Sequence, residues 1–138
     1  SYRASIERRI ADKSLSVAVS IEGAVSDNGL IESYRRARVF CLLSRCESFG
    51  IPSVEAQVFG TPSVVADVCA PPEICGPGGS VVPAGDVVAA ADALQALLTD
   101  PTAWSRASDR ARNNAERFRW SRLSGPMIEF LDGWETSS

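Results

Sequence analysis

The sequence has 138 residues, 45% hydrophobic and 22% charged, which suits one compact globular domain with a real core. A formal net charge of −3 supplies no field to draw in nucleic acid, and the lack of any histidine removes most metal sites and every Ser-His or Cys-His nucleophile. All 14 basic residues lie at or before Arg45 or at or after Arg106, so the segment between them has no cation of its own for a phosphate.

Tyr2, Ile6 and Ile10 stand four apart in a charged stretch, which predicts a surface helix to about Lys13. Leu15, Val17, Val19 and Ile21 then alternate with small polar residues, the period of a strand. Ser26, Asp27 and Asn28 offer cap side chains to a helix running to about Ala37. Val39 to Leu43 is a continuous apolar run, as a central parallel strand covered on both faces requires. Pro52 starts the next helix and Gly60 ends it before a short buried strand, Ser63 to Ala66. A turn-rich stretch leads to the strand at Ser80, Val81 and Val82, and Asp86 caps a helix that Asp100-Pro101 restarts, to about Phe118. Leu123, Met127, Leu131 and Trp134 form the stripe of one terminal helix that needs a surface to pack on. Arg106, Arg110, Arg112, Arg117, Arg119 and Arg122 are read as a solvated helix face.

Alternating strands and helices with short connections predict an α/β fold, a Rossmann-like parallel sheet with helices on both faces, in a single domain over residues 1–138. Cys41, Cys46, Cys69 and Cys75 match no disulfide scaffold or zinc spacing and are expected to be reduced and mostly buried. No apolar run is long enough to span a membrane and the N-terminus is not a signal peptide, so a cytoplasmic setting is expected.

In such sheets ligands bind beyond the carboxyl ends of the strands, where loops enter helix N-termini. The loop after Leu43 carries Glu47, and Glu55 follows about one turn into the next helix, expected to face back toward the loop. Gly50 lets backbone approach a ligand, and the free amides at the helix start form an anion site that needs no basic side chain. Carboxylates are strong acceptors for vicinal hydroxyls, so a pyrophosphate diester bearing sugars suits the loop.

Glu47-Ser-Phe-Gly-Ile-Pro-Ser-Val-Glu55-Ala56 resembles the E-x7-E signature of family 4 glycosyltransferases. Leu30 to Ser44, Gly60 to Ala66, Pro72-Glu73-Ile74, Gly79 to Pro83 and Glu116 to Trp120 resemble the family's flanking elements, so the likeness runs from about Val17 to the C-terminus. The resemblance implies the C-terminal, donor-binding half of a GT-B fold and a retaining, metal-independent transfer of a hexose-type sugar from a nucleoside-diphosphate sugar, with no cofactor. It assigns Glu47 to the transferred sugar as the catalytic residue, and Ser48, Phe49, Gly50 and Ile51 to sugar and phosphate. Glu55 falls on the ribose hydroxyls, and Val25, within Gly23-Ala24-Val25, on the nucleobase. The basic pair with which the family grips the phosphates has no match here. The family's N-terminal acceptor domain and the first strands of its donor domain are also absent, so this chain alone is expected to bind donor weakly and transfer little. The implied partners are the donor and that acceptor domain, with peripheral association of the parent with a membrane and no nucleic acid.

Other readings stay open. The glutamates suit a glycosidase acid and nucleophile, and the lobe suits a non-catalytic nucleotide-binding or interaction module. A related nucleotide-sugar epimerase shares the fold, whereas a sugar phosphorylase needs a pyridoxal phosphate lysine and Lys13 is the sole lysine.

Overall fold

The computed structural model describes residues Ser1 to Glu135, with side chains through Leu131, so the expected place of Trp134 on the terminal stripe lies outside the described residues. The chain forms two compact units, Ser1–Leu30 and Ile31–Ser138.

In the first unit, α1 (Tyr2–Asp12) is capped by Ser1, whose hydroxyl accepts from the Ala4 amide, and is braced by an Arg3–Glu7 ion pair at 2.8 Å. Residues Leu15 to Ile21 correct the strand expected from their alternation. The amides of Ala18 and Val19 both donate to the Leu15 carbonyl at 2.9 Å, and Val17 is fully exposed. Alternation fixes which side chains share a face but supplies no ladder partner. Among the described residues this unit contains no strand, so its backbone closes hydrogen bonds locally in turns.

The helix α2 (Asp27–Arg36) begins where Ser26 Oγ accepts from the Gly29 amide. In the second unit, β1 (Phe40–Leu42), β2 (Ser63–Ala66) and β3 (Gly79–Val82) form a parallel sheet in that order, with Phe40 beside Ser63 and Ser63 beside Gly79. The first crossover is α3 (Ile51–Val58) and the second is α4 (Pro71–Cys75) with a 3-10 turn. Every residue of β2 is buried. Its alternate side chains serve opposite faces. Val64 joins Val82 in a cluster with Ala90 and Leu97 of α5 (Val87–Thr99) and Ala107 of α6 (Pro101–Ala115), while Ser63 Oγ donates to the Ser53 carbonyl of α3 on the other side. Helices therefore cover both faces, as the sequence predicts. The cap expected at Asp86 holds, its side chain accepting from the Ala89 amide, and where Asp100-Pro101 restarts the helix Asp100 accepts from the amides of Thr102 and Ala103.

The strand β1 departs from expectation. It is shorter than the apolar run, Cys41 is exposed, and Leu43 is 47% exposed. The cause is its place at the sheet's edge, where a strand has a neighbour on one side only. The cysteines need the same correction, because Cys41, Cys46 and Cys69 are exposed free thiols and only Cys75 is buried. Burial pushes the Cys75 thiol up to about 11, and contact with Cys69 raises that of Cys46. Since the thiolate is the nucleophile, iodoacetamide at pH 8 is expected to label Cys41, Cys46 and Cys69 in the folded chain, with the Cys46 rate rising at higher pH. Cys75 is expected to react only after unfolding. Mass spectrometry of the digest checks this, and labelling of Cys75 as fast as Cys69 contradicts the packing described.

A buried amide network joins three helices. Asn114 Nδ2 donates to Gln57 Oε1 at 2.7 Å and to the carbonyls of Ile74 and Cys75 at 2.9 and 3.1 Å, and Gln57 Nε2 also donates to the Cys75 carbonyl. The last carbonyls of a short helix lack intrahelical donors, and these side chains supply them. Arg110 and Arg112, expected merely to be solvated, also bind backbone, donating to the carbonyls of Pro77 and Phe59. The expected single terminal helix is broken into α7 (Trp120–Leu123) and α8 (Gly125–Glu135). Pro126 lacks the amide and clashes with the turn before it, which stops the first helix. Leu123, Met127 and Leu131 are each more than half exposed, so the stripe stands largely in solvent.

Candidate functional site

The site is built at the carboxyl end of β1. The chain leaves the sheet at Leu42, passes through Glu47 and turns into α3 at Gly50, whose φ of 85° and ψ of 36° are left-handed. Side-chain residues rarely adopt that conformation. A Cβ at Gly50 would sit 3.4 Å from the Pro71 ring and 3.6 Å from Leu42, which is ordinary contact, so the glycine is demanded by backbone conformation rather than by space. Pro71 is the first residue of α4, which the Asn114 and Gln57 amides hold from its other end. Packing deep in the unit thus sets the roof of the loop.

Glu47 is half-buried and turns Oε1 back to accept from the Ser48 amide at 3.0 Å. That bond occupies one of the amides expected to face a ligand. The amides of Phe49, Gly50 and Ile51 donate to no acceptor among the described residues, and they form the positive mouth of α3. Phe49 is anchored edge-on against Phe118, with centroids 6.1 Å apart, and the Arg117 guanidinium lies 5.4 Å from the Phe118 ring. The fold thereby brings a cation two ring contacts from the loop, although the central sequence carries none. The spacing of Arg117 gave no sign of this, because the contact joins residues almost 70 positions apart.

Glu55 lies on the second turn of α3, roughly 7 Å along the axis from Gly50 at the usual helical rise. Rather than facing only the loop, it points Oε2 to the Tyr34 hydroxyl on α2, at 2.9 Å. The tyrosine is buried, and desolvation, then the bond to Glu55 and its charge, push its hydroxyl up to about 12, so it stays a donor at any physiological pH. A carboxylate has about four acceptor positions, and the tyrosine takes one. Sequence reading placed Tyr34 at helical spacing and missed this role. The available signal was its hydroxyl on an otherwise apolar face. Val25, expected at the nucleobase, belongs to the Ser1–Leu30 unit and is exposed there. Arg38, two residues before β1, is committed elsewhere: it donates to the Leu97 carbonyl and lies 5.0 Å from the Trp104 ring, whose Nε1 donates to the Arg38 carbonyl. No group of three or more acidic or thiol side chains is gathered as for a metal, and no helix is long and apolar enough to cross a membrane, among the described residues.

Comparison with known proteins places the chain in a family. The family described as glycosyl transferases group 1 matches residues 1–118. An MMP alpha-(1->4)-mannosyltransferase from Mycolicibacterium hassiacum is 33% identical over 126 residues, 88% of this chain and 31% of that protein. A D-inositol 3-phosphate glycosyltransferase from Kribbella flavida is 40% identical over 94 residues, 67% of this chain and 22% of that protein. Sucrose-phosphate synthase from Thermosynechococcus elongatus superposes with a TM-score of 0.84 at 26% identity, covering 99% of this chain and 35% of that one. The chain therefore spans about a third or less of the proteins it matches, and its parallel α/β frame is part of a GT-B fold. By both sequence and fold, the chain belongs to the glycosyl transferases group 1.

Proposed function

We propose that this chain is the donor-binding lobe of a retaining glycosyltransferase that moves a hexose-type sugar from a nucleoside-diphosphate sugar to an acceptor held by another lobe. The observation that carries this reading is the left-handed Gly50 at the mouth of α3, with unpartnered amides beside it, Glu47 before it and Glu55 after it. The diphosphate rests on the amides of Phe49 to Ile51, where the helix dipole also stabilises the charge that develops on the departing nucleotide. Amides in this role make a divalent ion dispensable.

Glu47 accepts from hydroxyls of the transferred sugar, and its negative charge faces the anomeric carbon as that carbon becomes positive. Glu55 takes the vicinal hydroxyls of the ribose. Ser48, which is exposed, is assigned to the sugar. The Mycolicibacterium relative is named for an alpha linkage, which is the product that retention gives wherever the donor's own linkage is alpha. The acceptor, and any membrane surface presenting it on the cytoplasmic side, is contacted by residues outside this chain.

Calorimetric titration of the folded chain with a panel of nucleoside diphosphates and their sugar conjugates tests the reading. Selective binding of one nucleotide is expected, weakened at least ~10-fold in Glu55→Ala, the loss expected for charge-assisted bonds to two hydroxyls. A folded chain that binds none of them at millimolar concentration overturns it.

A further inference from the structure

Tyr34 lies buried in an aromatic cluster. Its ring stacks on Phe59 with centroids 6.3 Å apart and meets Phe40 edge-on at 5.9 Å, and it is only 6% exposed. Its backbone is fixed as well, because Thr61 Oγ1 donates to the Tyr34 carbonyl at 2.7 Å. An aromatic cluster of this kind asks for phenylalanine, since burying a hydroxyl is unfavourable unless a strong acceptor meets it. The acceptor that meets it is Glu55 Oε2, at 2.9 Å. A glutamate on an exposed helix face otherwise samples many rotamers, and ordering it on binding opposes affinity. Here a phenol with a packed ring and a hydrogen-bonded backbone holds one carboxylate oxygen and leaves the rest of the carboxylate to accept from a ligand.

We propose that Tyr34 is a positioning residue for ribose recognition: by fixing one oxygen of Glu55 it pre-orients the carboxylate for a vicinal diol, making the lobe selective for ribonucleotide over deoxyribonucleotide donors. This rests on the assignment of Glu55 to the ribose, and deepens it. The hydroxyl touches no substrate and acts only through Glu55.

The test uses Tyr34→Phe, which keeps the ring and its packing. The affinities of wild type and variant are measured for the nucleoside diphosphate selected in the panel and for its 2′,3′-dideoxy analogue. Wild type is expected to prefer the ribose form by at least ~10-fold. In Tyr34→Phe that preference is expected to fall to ~3-fold or less with the dideoxy affinity unchanged. Adding Tyr34→Phe to Glu55→Ala is expected to change the ratio no further, as the two act as one unit. A merely structural role would weaken both ligands equally and leave the ratio intact. A wild-type ratio in Tyr34→Phe overturns the inference while leaving the Glu55 assignment standing. A wild type with no preference for the ribose form overturns the Glu55 assignment, and the inference with it.

Discussion

Replacing Gly79 with alanine is expected to abolish the soluble fold. Gly79 has an extended backbone, with φ of −163°, that any residue adopts, so its requirement is steric. A Cβ there would lie 2.0 Å from the Ser63 carbonyl oxygen and 2.6 Å from Cys75 Sγ. The oxygen belongs to the adjacent strand in register with Gly79, and it also accepts from the Cys75 thiol. Relief requires β3 to part from β2 or α4 to lift from the sheet, and both movements open the core. A cost above ~4 kcal/mol is expected, comparable to the whole stability of many domains. Because α4 carries Pro71 over Gly50, a partial rescue would still loosen the loop that enters α3. Gly85 is the control, with φ of 81° and nothing within 4 Å of a Cβ, so Gly85→Ala should cost only the conformational ~1–2 kcal/mol. Soluble yield, circular dichroism and urea unfolding measure both. A Gly79→Ala chain that unfolds within ~1 kcal/mol of wild type would show that the β2–β3 register differs from the one described.

The second large effect is expected at Glu47. Glu47→Gln retains an oxygen that can accept from the Ser48 amide, so the loop and the free amides beyond it should persist. It removes the negative charge proposed to face the anomeric carbon. The isolated chain should therefore bind the nucleoside diphosphate within about twofold of wild type, while its preference for the sugar conjugate over the bare diphosphate disappears. Joined to an acceptor lobe, the variant should transfer sugar ~10²–10³-fold more slowly, the scale of losing one electrostatic group poised for a transition state. Unaltered transfer would remove Glu47 from the chemistry and leave it as a cap on Ser48. An equal loss of diphosphate binding would instead mean that the variant disturbed the amides.

Much of the frame was legible because its signals act within a few residues. Ser26, Asp86 and Asp100 cap helices through amides two or three positions on, and Gly50 and Pro52 set the start of α3 by their own backbone preferences. The short apolar runs at Ser63 to Ala66 and Ser80 to Val82 became strands because each has a neighbour to pair with. The candidate loop was locatable for the same reason: glycine, proline and two carboxylates lie in one stretch of ten residues, and its place after a strand and before a helix follows from order along the chain.

What the tertiary structure alone decided was partnership over distance. Leu15 to Ile21 has the pattern of a strand, yet its unit contains none to pair with. Cys41 lies in a run apolar enough for a core, yet the edge position of β1 exposes it. Asn114 looked like one more polar residue on a long helix until the fold set it against Gln57, Ile74 and Cys75. Tyr34 and Glu55 are 21 residues apart, and neither periodicity nor motif links them; the fold that sets the Tyr34 ring against Phe40 and Phe59 brings its hydroxyl to the carboxylate. Caps, turns and periods are written in neighbouring residues and survive reading one segment at a time. Edge or centre, exposed or buried, and the partner of each buried polar group depend on which segments meet, and that is settled only when the whole chain packs.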